Sequence, residues 1–253
     1  MENLGDSALW GVVVGASLVA GAIVAAAVAL PERIGAMLTA FGGGILFAAV
    51  ALELVPEADA EAGAALTAFG LLAGTLVYVG ADAWLNRDTS MRETRRMMHA
   101  AAAGKSMPSG SSEVARGESI AVGLFIDGVP ESIALGLTIA EGEIGLALLV
   151  GILVGNLVEA YGAAQPILFG GRTWRFAVGL LSGIGVSLAL ATVLGGTVLA
   201  DASPELIGTA QAIAAGAVLA VVSIAIIPHA FDEVSGLVAF ATVLGFISGY
   251  ALG

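Results

Sequence analysis

The chain has no cysteine, two histidines and only nine basic residues in 253, one of them a lysine. Without cysteine there is no disulfide framework and no thiolate metal site. Nine basic residues against 21 acidic ones, a net charge of -12, leave no surface suited to nucleic acid. Charged residues of both signs make up 12% of the chain, about half the share in ordinary soluble domains. With 58% hydrophobic residues and a mean hydropathy of +0.98, a water-soluble fold would expose large apolar patches and aggregate.

What the sequence does have is long apolar runs. Eight are read, at about 9–30, 35–55, 63–84, 119–140, 144–168, 176–200, 205–227 and 235–252. Each approaches the roughly 20 residues a helix needs to cross a ~30 Å hydrocarbon core. Membrane β-strands would instead alternate with period two over about ten residues. The expectation is a single all-α integral membrane domain, 1–253, in a multi-pass bundle of eight transmembrane helices. The start, "MENLGDSALW", has no basic region, so the first run is read as a span and not as a cleaved signal.

Charge placement sets the expected orientation. Arg33 falls in the first loop. Arg87, Arg92, Arg95, Arg96, Lys105 and Arg116 fall in the third, and Arg172 and Arg175 in the fifth. All basic residues thus occupy odd-numbered loops, while "PEADAEAG", "EGE" and "DASPE" keep the even ones acidic. By the positive-inside rule the odd loops are cytoplasmic and both termini lie outside. Trp10, Trp84 and Trp174 fall at span ends, where interfacial aromatics belong. The polar segment 85–118 is the expected cytoplasmic loop between helices 3 and 4. Its first half reads as a basic amphipathic stretch and "GKSMPSGSSE" reads as a linker. The first three and last three spans are candidates for an inverted pair around helices 4 and 5. The single lysine among acidic loops fits a prokaryotic cell (plasma) membrane.

Chemistry concentrates in helices 4 and 5. "FIDGVPESIALG" places Asp127 and Glu131 four apart on one helix face, and "GNLVEA" places Asn156 and Glu159 three apart on another. Counted from the cytoplasmic ends of two antiparallel helices, the pairs reach matching depths near the midplane. Three intramembrane carboxylates cost on the order of 8–10 kcal/mol on insertion scales, and no span holds a Lys or Arg to offset them. A bound divalent cation offsets that cost, as does protonation with hydrogen bonding between helices. Pro130 removes a backbone donor and frees the Ile126 carbonyl, so a helix break is expected there. Gly123, Gly128, Gly155 and Gly162 are expected to admit close backbone approach. The metal site read from this pattern is Asp127, Glu131, Asn156 and Glu159.

Other polar residues carry two readings each. Glu53 is an outer-vestibule ligand or an interfacial acid, and Asp82 an interfacial acid near a cytoplasmic end. His229, Asp232 and Glu233 in "PHAFDE" form a solvated cytoplasmic loop or a metal exit site. Met91, Met97, Met98, Met107 and His99 are scattered loop residues or soft-metal ligands.

These residues resemble the ZIP (Zrt/Irt-like) family of divalent-metal transporters along nearly the whole chain. That family's helix-4 pattern, His-Asn-x-Pro-Glu-Gly, is met by Asp127, Gly128, Val129, Pro130, Glu131 and Ser132. Its helix-5 pattern, Asn or Asp three before Glu, is met by Asn156 and Glu159. "FGGGILFAAVALELVPEA" is similar to its helix 2, with Glu53 where many members carry His. The resemblance implies a 3+2+3 bundle, inward transport of zinc, manganese or iron by alternating access, and a homodimer. It implies no organic cofactor and no enzymatic activity. Helix 6, "LLSGIGVSLAL", lacks the glutamate that bridges two metals in some members, and "VVSIAIIPHAF" lacks a His-Glu pair before its Pro. With Asp127 in place of His the set is all oxygen, a harder site than one holding imidazole. Two other readings are a cation/proton or sodium/calcium-type exchanger and a non-transporting membrane sensor with a degenerate site.

Overall fold

The computed structural model describes residues 2–28, 30–85, 110–142, 144–198 and 202–253, and all regular structure among them is helical. In chain order the helices are α1 (Glu2–Ala27), α2 (Glu32–Ala49), α3 (Val55–Ala62), α4 (Ala64–Leu85), α5 (Gly110–Ala140), α6 (Leu146–Phe169), α7 (Trp174–Val198), α8 (Pro204–Val221), α9 (Ile227–Val234) and α10 (Leu237–Leu252). Five-residue π-helical segments, Val50–Leu54 and Val222–Ile226, join α2 to α3 and α8 to α9. Counting α2–α3 and α8–α9 as single rods, seven helices among the described residues are long and apolar enough to cross a membrane. The last, α10, is strongly apolar but has 16 residues, about 24 Å of helix.

The bundle is apolar outside as well as inside, the arrangement a lipid environment stabilises. Phe69, Leu72, Leu76 and Val77 line the outer face of α4, and Phe240, Val243, Leu244 and Tyr250 that of α10, all more than half exposed. Serine and threonine hydroxyls turn back onto their own helices. Thr39 donates to Gly35 O, Thr192 to Leu188 O and Ser17 to Val14 O, so none needs water. Where α1 ends, its exposed carbonyls are met from α6. Gln165 Nε2 donates to Ala25 O at 3.0 Å, and Tyr161 donates to Val28 O while accepting from Leu30 N–H.

Helix pairing follows a two-fold scheme. α1 packs on α7, α2 on α10, α4 on α8, α1 on α6 and α5 on α7. Exchanging the first three rods with the last three, and α5 with α6, maps this scheme onto itself. Both halves contain an 18-residue helix, a five-residue π segment and an eight-residue helix with proline in its first turn. Glycines sit at matching crossings. Gly15 and Gly185 lie backbone to backbone between α1 and α7. Gly44 meets Thr242 where α2 crosses α10, and Gly216 meets Leu71 where α4 crosses α8. At such crossings backbones approach closely and van der Waals contact supplies the association that lipid does not drive.

Several expectations shift. Helix α5 begins at Gly110, inside the segment read as a loop, because nothing in "GSSEVARGE" breaks a helix. Residues 86–109, with Met91, Met97, Met98, His99 and Met107, lie outside the described residues. "PHAFDE" is helical, lying in α9, and Asp232 is exposed there. Pro228 falls in the first turn of that helix, where a missing N–H costs nothing, and the π segment before it takes up the distortion.

Gly15→Ala puts a methyl 2.8 Å from Gly185 O, so overpacking is expected to cost about 1–3 kcal/mol. Gly179→Ala meets no atom within 4 Å and is expected to leave stability unchanged or raise it by up to ~1 kcal/mol. Thermal unfolding of the two variants in one detergent compares them. Equal effects would contradict the backbone-contact account.

Candidate metal site between α5 and α6

Helices α5 and α6 form the middle of the bundle, covered by α1 and α2 on one side and by α7 and α8 on the other. Asp127 and Glu131 on α5 are buried at 8% and 5% exposure, Asn156 on α6 at 2%, and Glu159 is half-buried. The charges that act most strongly on Glu131 are Glu159 and then Asp127, so these three carboxylates share one region, with Asn156 one turn before Glu159 on α6. The four-residue and three-residue spacings put each pair on the face its helix turns toward the other.

The site contains a residue that motif reading did not reach. Tyr78, from α4 and 2% exposed, donates a short hydrogen bond to Asp127 Oδ1. A third element thereby fixes one carboxylate oxygen. The available signal was the hydroxyl of a Tyr in the middle of "GTLVYVGA", an apolar run where a polar handle requires a partner. Asn156 Nδ2 and Ser132 Oγ are buried without a partner. Turning the Asn156 amide over offers Oδ1 in the same place, so the residue supplies a ligand oxygen at no cost in hydrogen bonds. Among the described residues, no three His, Cys, Asp or Glu side chains are grouped closely enough to hold a metal ion.

Two local expectations are corrected. Helix α5 runs through Pro130 without interruption, and the irregular turns fall instead in the π segments ahead of Pro56 and Pro228. Proline removes one i→i−4 bond, and a helix packed on several sides absorbs that loss locally. Gly128 faces the side chain of Leu188, not a neighbouring backbone, whereas at Gly155 another helix does come close: a Cβ on Gly42 of α2 would lie 3.5 Å from Gly155 N.

Glu53 has a structural task. It lies in the first π segment, where the backbone N–H groups of Ala147 and Leu148, in the first turn of α6, favour its charged form, while its Oε2 is buried without a partner. The residue before that helix is Gly145, which offers no side-chain cap. A carboxylate from another helix therefore satisfies donors that lipid could not, at the end where the helix dipole favours negative charge. A Cβ on Gly145 would sit 2.9 Å from Glu53 Oε2, so glycine there makes room for the acid. Asp82 is half-buried near the end of α4, and the side chains of His229 and Glu233 lie outside the described residues.

No family model and no curated protein matches the chain.

Removing the cap by Glu53→Ala is expected to cost about 1 kcal/mol, measured by denaturation in detergent, with Glu53→Gln losing less. Tyr78→Phe deletes the donor to a buried carboxylate and is expected to cost about 1–3 kcal/mol. A neutral Tyr78→Phe would show that Asp127 is not held as described.

Proposed function

We propose that the protein is a ZIP-type transporter that carries divalent metal ions across the cell membrane by alternating access between α5 and α6. The observation that carries this reading is the burial of Asp127, Glu131 and Asn156 beside Glu159, with no Lys or Arg in α4, in residues 119–140 or in α6. A group of acids at that depth gains most from a mobile divalent cation, and midplane sites of transporters use the same chemistry. In this reading Glu131 and Glu159 hold the ion, and Asp127 and the Asn156 amide complete an all-oxygen shell. Loading draws α5 and α6 together, while release separates them again. Tyr78 orients Asp127 for this. The metal is the cargo, drawn from the zinc, manganese and iron class, and the unit is a homodimer.

The topology belongs to the same proposal: eight spans, both termini outside, and residues 85–118 cytoplasmic. The acidic ends of α3 and α5 then face outward and the basic residues inward. Because the chain has no cysteine, single substitutions at Leu4 and Ser106 report sidedness directly. They are expected to label from opposite faces of intact cells, and labelling from one face would overturn the topology.

Glu131→Gln and Glu159→Gln keep shape and remove charge, so each is expected to abolish metal uptake into proteoliposomes without loss of expression. Asp127→His introduces imidazole, which favours zinc. Competition between Zn²⁺ and Mn²⁺ for uptake is expected to shift toward zinc in that variant. An unchanged ratio would remove Asp127 from the set of ligands.

A further inference from the structure

A second group of acids lies where α3, the end of α5 and α8 meet, away from the α5–α6 site. Gln211 on α8 is fully buried. Its Nε2 donates to Glu57 Oε2 at 2.5 Å and to Glu141 Oε2 at 3.3 Å. Both Oε2 atoms are therefore held against one nitrogen, which brings the Glu57 and Glu141 carboxyl groups face to face. Two carboxylates so placed repel when both are ionised, and sharing one proton relieves that repulsion. Buried acceptors exceed donors here: Gln211 Oε1, Glu141 Oε1 and Glu61 Oε2 have no partner.

We propose that Glu57 and Glu141 bind one shared proton, clamped by the Gln211 amide, and that this proton latches the end of α5 onto α3 and α8. Glu57 belongs to the rod α2–α3 and Gln211 to the rod α8–α9, so the bond ties one rod from each half of the two-fold scheme to α5. The groups facing Glu141 are Glu57 and Glu61 from α3 and Gln211 from α8. Glu53, from the π segment, is engaged with the first turn of α6. No basic residue occurs in α3, in 137–145 or in α8 to replace the proton as counter-charge. Burial first, then the charges of Glu57 and Glu61, push Glu141 up to about 8. A raised carboxyl holds its proton longer when folded. The latch is therefore complete below the ordinary carboxylate range near 4.5, weakens as pH rises, and is lost above about 8.

The test uses purified full-length protein in detergent and needs no transport assay, so its failure leaves the transport reading standing and the converse also holds. Single cysteines replace Ala58, fully buried beside the latch, or Ala60, exposed on the same helix. The ratio of their maleimide labelling rates, 58 over 60, is read against the same ratio in the Glu141→Gln background, which carries the difference in thiol titration between the two positions. Between about pH 6 and about pH 9 the ratio is expected to rise several-fold, with its midpoint near 8. Glu141→Gln supplies the hydrogen permanently, so in that background the ratio stays low and flat. Glu57→Gln does the same from the other side and stands in if Glu141→Gln does not elute as a single folded species. A flat ratio in the parent chain, or an equal rise in the folded glutamine variant, overturns the latch.

Discussion

Negative charge held inside an apolar bundle with no positive charge beside it is the constraint on which this protein's organisation turns. Three carboxylates stand close enough to act on one another between α5 and α6, and α4, residues 119–140 and α6 hold no Lys or Arg. Water solvation is lost there, and each ionised group costs several kcal/mol unless something answers it. The structure supplies a partial answer within the protein. Tyr78 donates to Asp127. In the proposed reading a divalent cation answers the rest and its release exposes the cost again, the alternation a carrier requires.

The same constraint recurs at the helix ends. Glu53 supplies acceptors to the first turn of α6, Tyr161 and Gln165 close the end of α1, and Gln211 stands between two acids. Each is a polar side chain lent by one helix to another, because lipid offers no partner for a free backbone or carboxyl group. The two π segments serve a related purpose. A π turn lets the 31-residue rods α2–α3 and α8–α9 continue past Pro56 and Pro228 without stranding a run of carbonyls. The exchange symmetry places Glu57 and His229 at corresponding third positions of α3 and α9, and Glu61 and Glu233 at corresponding seventh positions.

Much of this was legible in the residues. Runs of about 20 apolar residues located every long helix, since crossing length is set by bilayer thickness and leaves a one-dimensional mark. The i, i+4 and i, i+3 spacings of Asp127, Glu131, Asn156 and Glu159 put each pair on one helix face, and the structure brings the three carboxylates into mutual reach. Tyr78 was not legible. It lies 49 positions from Asp127, and only the packing of α4 brings the two together. Glu53 was open between two readings because a cap donated from another helix has no local spacing. Pro130 misled for the converse reason. A proline marks a lost hydrogen bond, but tertiary packing decides whether the helix breaks, and α5 does not.

The central claim is that the acids between α5 and α6 exist to hold a divalent cation. Anomalous diffraction from crystals soaked in Mn²⁺ tests it most directly. The account predicts one anomalous peak bounded by the Glu131 and Glu159 carboxylates and the Asn156 amide, lost in crystals of Glu131→Gln. Well-ordered side chains there with no peak, or a peak that survives Glu131→Gln, would contradict it.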